Sequence, residues 1–262
     1  MQKTMNDQQV KECEKHYTTC LSEEKAAGKT IRFTDERIPD MYDQNFTLID
    51  ESDSQNELLD MIEQEVLLRK EQKHSFCKVQ TYSQIDREQL AKLEQQAEVE
   101  TAGFYLFDLS KFDRIRPRTD CKVVKVTKVS QLKEKLFVEL DDETDQPYLE
   151  FVENKEKRKE EVYLSEDKID AYLCYDETNQ VVGTCDLFLH QGVAKIEDFS
   201  VLSKKQRQGY GTVLIKELVK VALEQGTTKI YLVTDEGETA KEMYLKLGFE
   251  KIGEKQALLF KW

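Results

Sequence analysis

Apolar positions along the chain alternate between a helical period and an extended one. From Gln8 to Ala27 a polar stretch carries Val10, Cys13, Tyr17, Cys20 and Leu21 at helical spacing, and Gly28 follows as a stop, which predicts a helix over that range. Short strands are predicted over Thr30 to Phe33 and Asn45 to Ile49, then a long amphipathic helix from Asn56 to Gln72 with Leu58, Leu59, Ile62, Val66 and Leu67 on one side. A strand from Ser75 to Thr81, a helix from Asp86 to Ala97 and a strand from Phe104 to Leu109 complete this part. The stretch Asp113 to Asp120 is charged, contains Pro117 and has no period, and so predicts a linker.

Beyond it the pattern restarts, with a strand from Lys122 to Val126, a helix from Ser130 to Leu140, the acidic turn Asp141-Asp142-Glu143-Thr144-Asp145 and a charged helix from Tyr148 to Glu161. Three strands follow in meander order, Ala171 to Tyr175, Val181 to His190 and Val193 to Leu202, separated by turns at Asn179-Gln180 and Gln191-Gly192. A helix from Thr212 to Glu224, a strand from Lys229 to Thr234, a helix from Glu238 to Lys246 and a strand from Gln256 to Lys261 end the chain. Antiparallel strands followed by βαβα predict an α/β fold with a mixed sheet covered by helices, divided into domains at 1–118 and 121–262. The order strand, long helix, strand, shorter helix, strand occurs from Asn45 to Leu109 and again from Val193 to Lys261. A duplication and the chance recurrence of a common order both account for it.

Composition narrows the function classes. The 262 residues suffice for one large domain or two ordinary ones. No apolar run approaches the roughly 18 residues of a membrane span, and the start of the chain has no apolar segment behind its charge, so a cytoplasmic protein without a membrane partner is expected. Six scattered cysteines without a CxxC pair, and three histidines, point to neither a disulfide framework nor a metal site. The net charge of -13 is uneven: Asp170 to Trp262 holds 12 basic against 14 acidic residues, and Met1 to Ile169 holds 27 against 38. Such a surface repels nucleic acid and attracts cations or cationic amines.

Eight of the 10 glycines fall from Gly183 onward. Two of them, Gly209 and Gly211, lie in a loop between an apolar strand that includes Ile196 to Val201 and a helix beginning near Thr212. A helix N-terminus presents unpaired N–H groups and the positive end of its dipole, and glycines let the backbone close on an anion. Lys204, Lys205 and Arg207 add positive charge, so the loop reads as a phosphate site. It has neither the GKS/GKT of a Walker loop nor the third glycine of a dinucleotide fingerprint.

The stretch Gln206-Arg207-Gln208-Gly209-Tyr210-Gly211, with Ala240, Tyr244, Gly248 and Phe249 further on, resembles the GCN5-related N-acetyltransferase family, over Cys121 to Trp262. The resemblance implies that family's fold, probed twice in tandem if the first part is a degenerate copy, and acetyl-CoA as co-substrate with no metal. It implies that Phe199, Ser200 and Val201 hold the pantetheine arm, that Gln206, Arg207, Gln208, Gly209, Tyr210, Gly211 and Thr212 surround the pyrophosphate, and that strand Lys229 to Thr234 diverges from its neighbour to admit the thioester. Tyr244 is then the general acid for the departing thiolate. Seven positions before it the family often has Asn where this chain has Gly237, with Thr239 or Asp235 as substitutes.

An attacking amine must lose a proton, and Glu197 is the candidate base, in a segment Ile196 to Phe199 that looks like that of polyamine-type members. Alternation places Glu197 and Phe199 on one face and Asp198 on the other. A solvated strand carboxylate at Glu197 and a packed core tyrosine at Tyr244 are the bland alternatives. His190 is a weaker base at a strand end, His16 and His74 are bystanders, and Cys185 is sheet packing. The acceptor is expected between Leu132 and Glu161, as a small-molecule or peptide amine that the acidic turn 141–145 would favour if cationic, though a solvated turn is the plainer reading. The equivalent loop of the first copy, Asp50 to Asn56, is acidic and lacks glycine, so that part is expected to bind no cofactor but to pack on the second or frame its acceptor cleft. The function expected is direct transfer of an acetyl group to a primary amine. A catalytically inactive CoA-binding regulatory or interaction protein is the alternative, and the oligomeric state is left open.

Overall fold

Helix α1 (Gln8–Thr19) starts where Asp7 accepts hydrogen bonds from the amides of Gln9 and Val10 at 3.1 and 3.3 Å. The computed structural model describes residues 5–85, 87–141, 146–165, 169–237 and 239–262. The helix predicted to continue to Ala27 stops at Thr19, and Glu23–Ala27 forms strand β1 instead. The reason is the glycine taken for a helix stop: Gly28, at φ +64°, makes a two-residue turn that pairs Ala27 with Thr30 and sets β1 antiparallel to β2 (Thr30–Thr34).

Strand β3 (Phe46–Ile49) leads through α2 (Gln55–Glu71) to β4 (Phe76–Thr81), parallel to β3. Ser54 caps α2 by accepting from the Glu57 amide at 3.2 Å. The helix predicted from Asp86 to Ala97 is only Arg87–Leu90 (α3), and β5 begins early, spanning Glu98–Phe107. The predicted linker holds a 3-10 turn, Leu109–Arg114, and the buried Ile115. Then come β6 (Lys122–Lys125), α4 (Val129–Leu140), α5 (Gln146–Tyr163), β7 (Ile169–Tyr175), β8 (Val181–His190) and β9 (Val193–Val201). The chain closes with α6 (Tyr210–Glu224), β10 (Lys229–Asp235), α7 (Ala240–Leu247) and β11 (Phe249–Lys261).

All eleven strands form one mixed sheet in the order β1-β2-β3-β4-β11-β5-β10-β9-β8-β7-β6. The repeated pattern is visible in it: β3-α2-β4-α3-β5 and β9-α6-β10-α7-β11 each place a parallel strand pair around a helix. Each copy gives its last strand to the other. Strand β5 lies between β10 and β11, and β11 pairs on its far side with β4, from Gln256 opposite Thr81 to Lys261 opposite Phe76. Segments 1–118 and 121–262 therefore share a sheet without a seam.

The faces of the sheet separate the core. Along β10, Tyr231 packs with Val10, Cys13 and Tyr17 of α1, whereas Ile230 and Leu232 pack with Leu214, Leu218 and Ala222 of α6. Leu58 and Ile62 of α2 meet Leu258 and Phe260 of β11. Helix α1 thus lies on β8 and β9, strands from the other end of the chain. Among the described residues no helix is long and apolar enough to cross a membrane.

The strand exchange predicts that residues 1–118 and 121–262, made separately, fail to form a native sheet and recover it when coexpressed. The intact chain is expected to unfold in one cooperative transition, with far-UV circular dichroism coinciding with fluorescence of its single tryptophan, Trp262, whose indole donates to the His74 carbonyl at 2.7 Å. Independent folding of either segment, or two separated transitions, would contradict it.

Candidate active site

The centre of the site is an irregularity in β9. Thr184 of β8 faces Ser200 and Asp186 faces Glu197, so Asp198 and Phe199 together stand against the single residue Cys185. Asp198 takes a left-handed φ of +46° to make this bulge. The predicted alternation fails here for that reason, and Glu197 and Asp198 line the same cavity instead of opposite faces. Strand β9 pairs with β10 only as far as Ile196 opposite Leu232. Beyond that point β10 stays with β5, out to Asp235 opposite Ala102, and the two parallel strands part.

A groove of about 700 Å³ opens on one side of the parting, lined by Phe199, Ser200 and Val201 and by Gln206, Arg207, Gly209, Gly211 and Thr212. Gly209 precedes α6 at φ +91°, a backbone a side chain would strain, and α6 carries no side-chain cap. Its first N–H groups are left for an external anion. A Cβ on Gly211 would lie 3.0 Å from Phe199 Cζ and 3.1 Å from Met243 Sδ, so any side chain there would have to push both aside.

Several side chains of the loop are already engaged within the protein. The Gln208 side chain donates back to the Lys204 carbonyl at 2.8 Å, and Gln206 to that of Val201 at 3.1 Å. Tyr210 is buried, with its hydroxyl 3.3 Å from Glu177 Oε2. Lys205 is paired with Asp176 at 2.8 Å. Sequence reasoning missed Arg118, which sits 4.1 Å above the Tyr210 ring and donates to the Gln208 carbonyl at 3.3 Å. A basic residue beside Pro117 in a supposed linker was the only sign of it. Of the two proposed substitutes for the missing asparagine, Thr239 lines the groove, and Asp235 lines the cavity opposite.

Tyr244 is buried edge-on against Phe199 and Phe249, with ring centroids 6.0 and 5.8 Å away. Its hydroxyl makes no hydrogen bond to another described residue. Burial, and then the charges of Cys185 and Glu197, push its phenol above the ordinary value, so it keeps a proton to donate. The Cys185 thiol is buried and pushed well up by burial, which fits packing and not nucleophilic work. His190 ends β8 stacked on His16, ring centroids 3.8 Å apart, away from the bulge.

On the other side of the parting lies a cavity of about 320 Å³, walled by both parts of the chain and containing Glu197. Glu197 Oε2 is 2.7 Å from the buried Lys195 ammonium, which is also 2.7 Å from Glu14 Oε1 on α1. The Tyr231 hydroxyl, at 2.9 Å, and Lys255 Nζ, at 3.2 Å, complete the Glu14 carboxylate. Sequence reasoning missed both Glu14 and Lys195. The signal for the first was a carboxylate between Cys13 and Tyr17 on the buried helix face. Behind the bulge, Lys159 of α5 pairs with Asp198, and burial, then Lys155 and Lys135, pull its pKa down to about 8. Of the acidic turn, positions 142–145 lie outside the described residues, and Asp141 accepts from the Ser203 hydroxyl at 2.6 Å, on the groove side.

Residues 135–249 match the model of the Acetyltransferase (GNAT) family. Over 103 residues the chain is 40% identical to the uncharacterized N-acetyltransferase CgeE of Bacillus subtilis (strain 168), a match taking in 38% of this chain and only 39% of that relative's length. Among solved structures, a functionally unknown conserved protein from Staphylococcus epidermidis ATCC 12228 is similar with a TM-score of 0.76 at 20% identity, over 92% of this chain and 94% of that one. A GCN5-related N-acetyltransferase from Kribbella flavida gives 0.70 at 13% identity over 96% and 94%. A tandem GNAT protein from the clavulanic acid biosynthesis pathway gives 0.59 at 9% over 90% and 84%. These three likenesses are of fold, and they extend across both parts of the sheet.

The ion chain predicts an acid-sensitive core. Burial alone would raise the Glu14 carboxyl, but Lys195, Lys255 and the Tyr231 hydroxyl outweigh it and lower the pKa from 4.5 to about 2. A carboxylate lowered on folding stabilises above its unfolded pKa, and that contribution disappears as pH falls from 4.5 through 2. Glu14→Gln is expected to flatten the loss of stability over that window in denaturant titrations at successive pH values. Lys195→Met, which leaves two carboxylates facing each other, is expected to cost about 3–5 kcal/mol at neutral pH.

Proposed function

We propose that the chain, which carries a GNAT acetyltransferase domain at residues 135–249, is an acetyl-CoA-dependent N-acetyltransferase that moves the acetyl group directly to a primary amine. The observation that carries this reading is the bulged parting of β9 from β10. It puts an uncapped helix N-terminus on one side of a single opening and a carboxylate-lined cavity on the other. The donor brings a thioester carbonyl and a thiolate leaving group.

The chain's part follows from position. Backbone groups of Phe199, Ser200 and Val201 hold the donor's arm along the open strand edge, and the N–H groups at the start of α6, with Arg207, receive its pyrophosphate. Glu197 takes the proton the amine loses as the new C–N bond forms. Tyr244 gives its proton to sulfur as the C–S bond breaks. The fit is supported by the space available, since Phe199 and Met243 crowd the position of Gly211 and a larger residue would press on both.

The ion pair of Glu197 with Lys195 favours a second reading, CoA binding without transfer, because its carboxylate is already engaged by an ammonium. One set of variants separates the two. In an enzyme, Glu197→Gln and Tyr244→Phe are expected to lower kcat by roughly 10²–10⁴-fold with CoA affinity little changed. Gly211→Val is expected to weaken CoA binding itself. Wild-type protein that binds CoA yet releases no thiol with any amine would support the second reading and sink the first.

A further inference from the structure

The cavity beside Glu197 has a composition that selects among amines. Its lining contains five lysines and five carboxylates, so it carries no net charge. A polycation entering it would meet as many ammonium groups as carboxylates, and the carboxylates are already engaged. Glu14 is held by Lys195 and Lys255, and Asp198 by Lys159. Of the acidic turn that suggested a cationic acceptor, the described carboxylate Asp141 bonds Ser203 and lines the groove on the other side.

Lys155 of α5 is the exception among the lysines. Its ammonium forms two loose ion pairs, 3.8 Å from both Glu139 Oε2 and Asp198 Oδ1 and beyond hydrogen-bond reach, and donates no hydrogen bond to another described residue. Its side chain is 20% exposed. It stands where the cavity meets a smaller one of about 210 Å³ beside Phe199 and Ser200, next to the parted strands. A cation with unused donors at that place is suited to an anion on the acceptor close to its reacting nitrogen. Opposite, Phe33, Phe46, Leu48 and Tyr82 form an apolar wall contributed by the first part of the chain.

Resting on the acetyltransferase reading above, we propose that the acceptor is a small amine carrying its own carboxylate and an apolar body, the amino-acid class, with the carboxylate on Lys155. Amine, carboxylate and apolar group then each meet a matching element of the cavity. Its neutral lining matches a zwitterion, and the same arrangement discriminates against polyamines.

The test is thiol release from acetyl-CoA by the full chain with three acceptors: phenylalanine, phenethylamine as its counterpart without the carboxylate, and spermidine. Phenylalanine is expected to have a kcat/KM roughly tenfold or more above phenethylamine, the scale of one charge-assisted hydrogen bond. Lys155→Met should abolish that advantage by raising KM for phenylalanine alone, and Lys155→Arg should keep most of it. CoA affinity by calorimetry, unchanged in both variants, shows that they fold. Preference for spermidine or phenethylamine, or indifference to Lys155→Met, overturns the proposal and leaves the acetyltransferase reading standing. Protein that binds CoA but acetylates none of the three overturns this proposal, and the acetyltransferase reading falls as well only if no amine of a wider panel releases thiol.

Discussion

The site depends on β5 holding the free side of β10. Two parallel strands that separate leave backbone N–H and C=O groups without partners along the gap, and an interior strand cannot easily bear that on both edges. Here β10 loses β9 beyond Leu232 but keeps β5 as far as Asp235. The opening in the sheet is therefore made by β9 bending away at its bulge, and β10 remains a rigid wall. The strand that does this belongs to the first part of the chain.

The same part reaches the chemistry a second time through α1. Glu14, Lys195 and Glu197 form a line of three charges from that helix to the edge of the cavity. Buried ion pairs contribute little net stability once desolvation is counted, so their use here is positional. With Glu14 sharing the Lys195 ammonium, Glu197 does not hold that cation alone. The apolar wall of the cavity and the first carboxylate of this charge line, Glu14, come from residues before 118, so the first part of the chain shapes the cavity in which we propose the acceptor binds.

What was legible in the sequence was local. The loop from Gln206 to Thr212 and the Tyr244 to Phe249 spacing are short-range patterns, and the structure places the loop at the start of α6 and Tyr244 beside the bulge. The repeat of strand, helix, strand, helix, strand was also readable, because hydrophobic period survives divergence. The exchange of β5 and β11 was not, since register between distant strands leaves no periodic trace in either. Strand β1 was misread because three charged residues and two alanines at a sheet edge have no apolar alternation to show. The bulge at Asp198 reversed a face assignment that period two had made, and Arg118, Lys195 and Lys155 each engage partners far off in sequence, Gln208, Glu14 and Asp198.

The exchanged strands also bear on how the protein comes into being on the ribosome. Strand β5 is complete long before its two neighbours, β10 and β11, have been synthesised, and β4 awaits β11 on its open edge. A nascent chain of this topology carries unpaired, partly apolar strand edges through most of its translation, the condition under which edge-to-edge association competes with folding. Closure is nonlocal and late, so it is expected to be slow for a chain of this size. A chain interrupted before β11 would lack the strand that joins β4 to β5, and so the link between the two ends of the sheet.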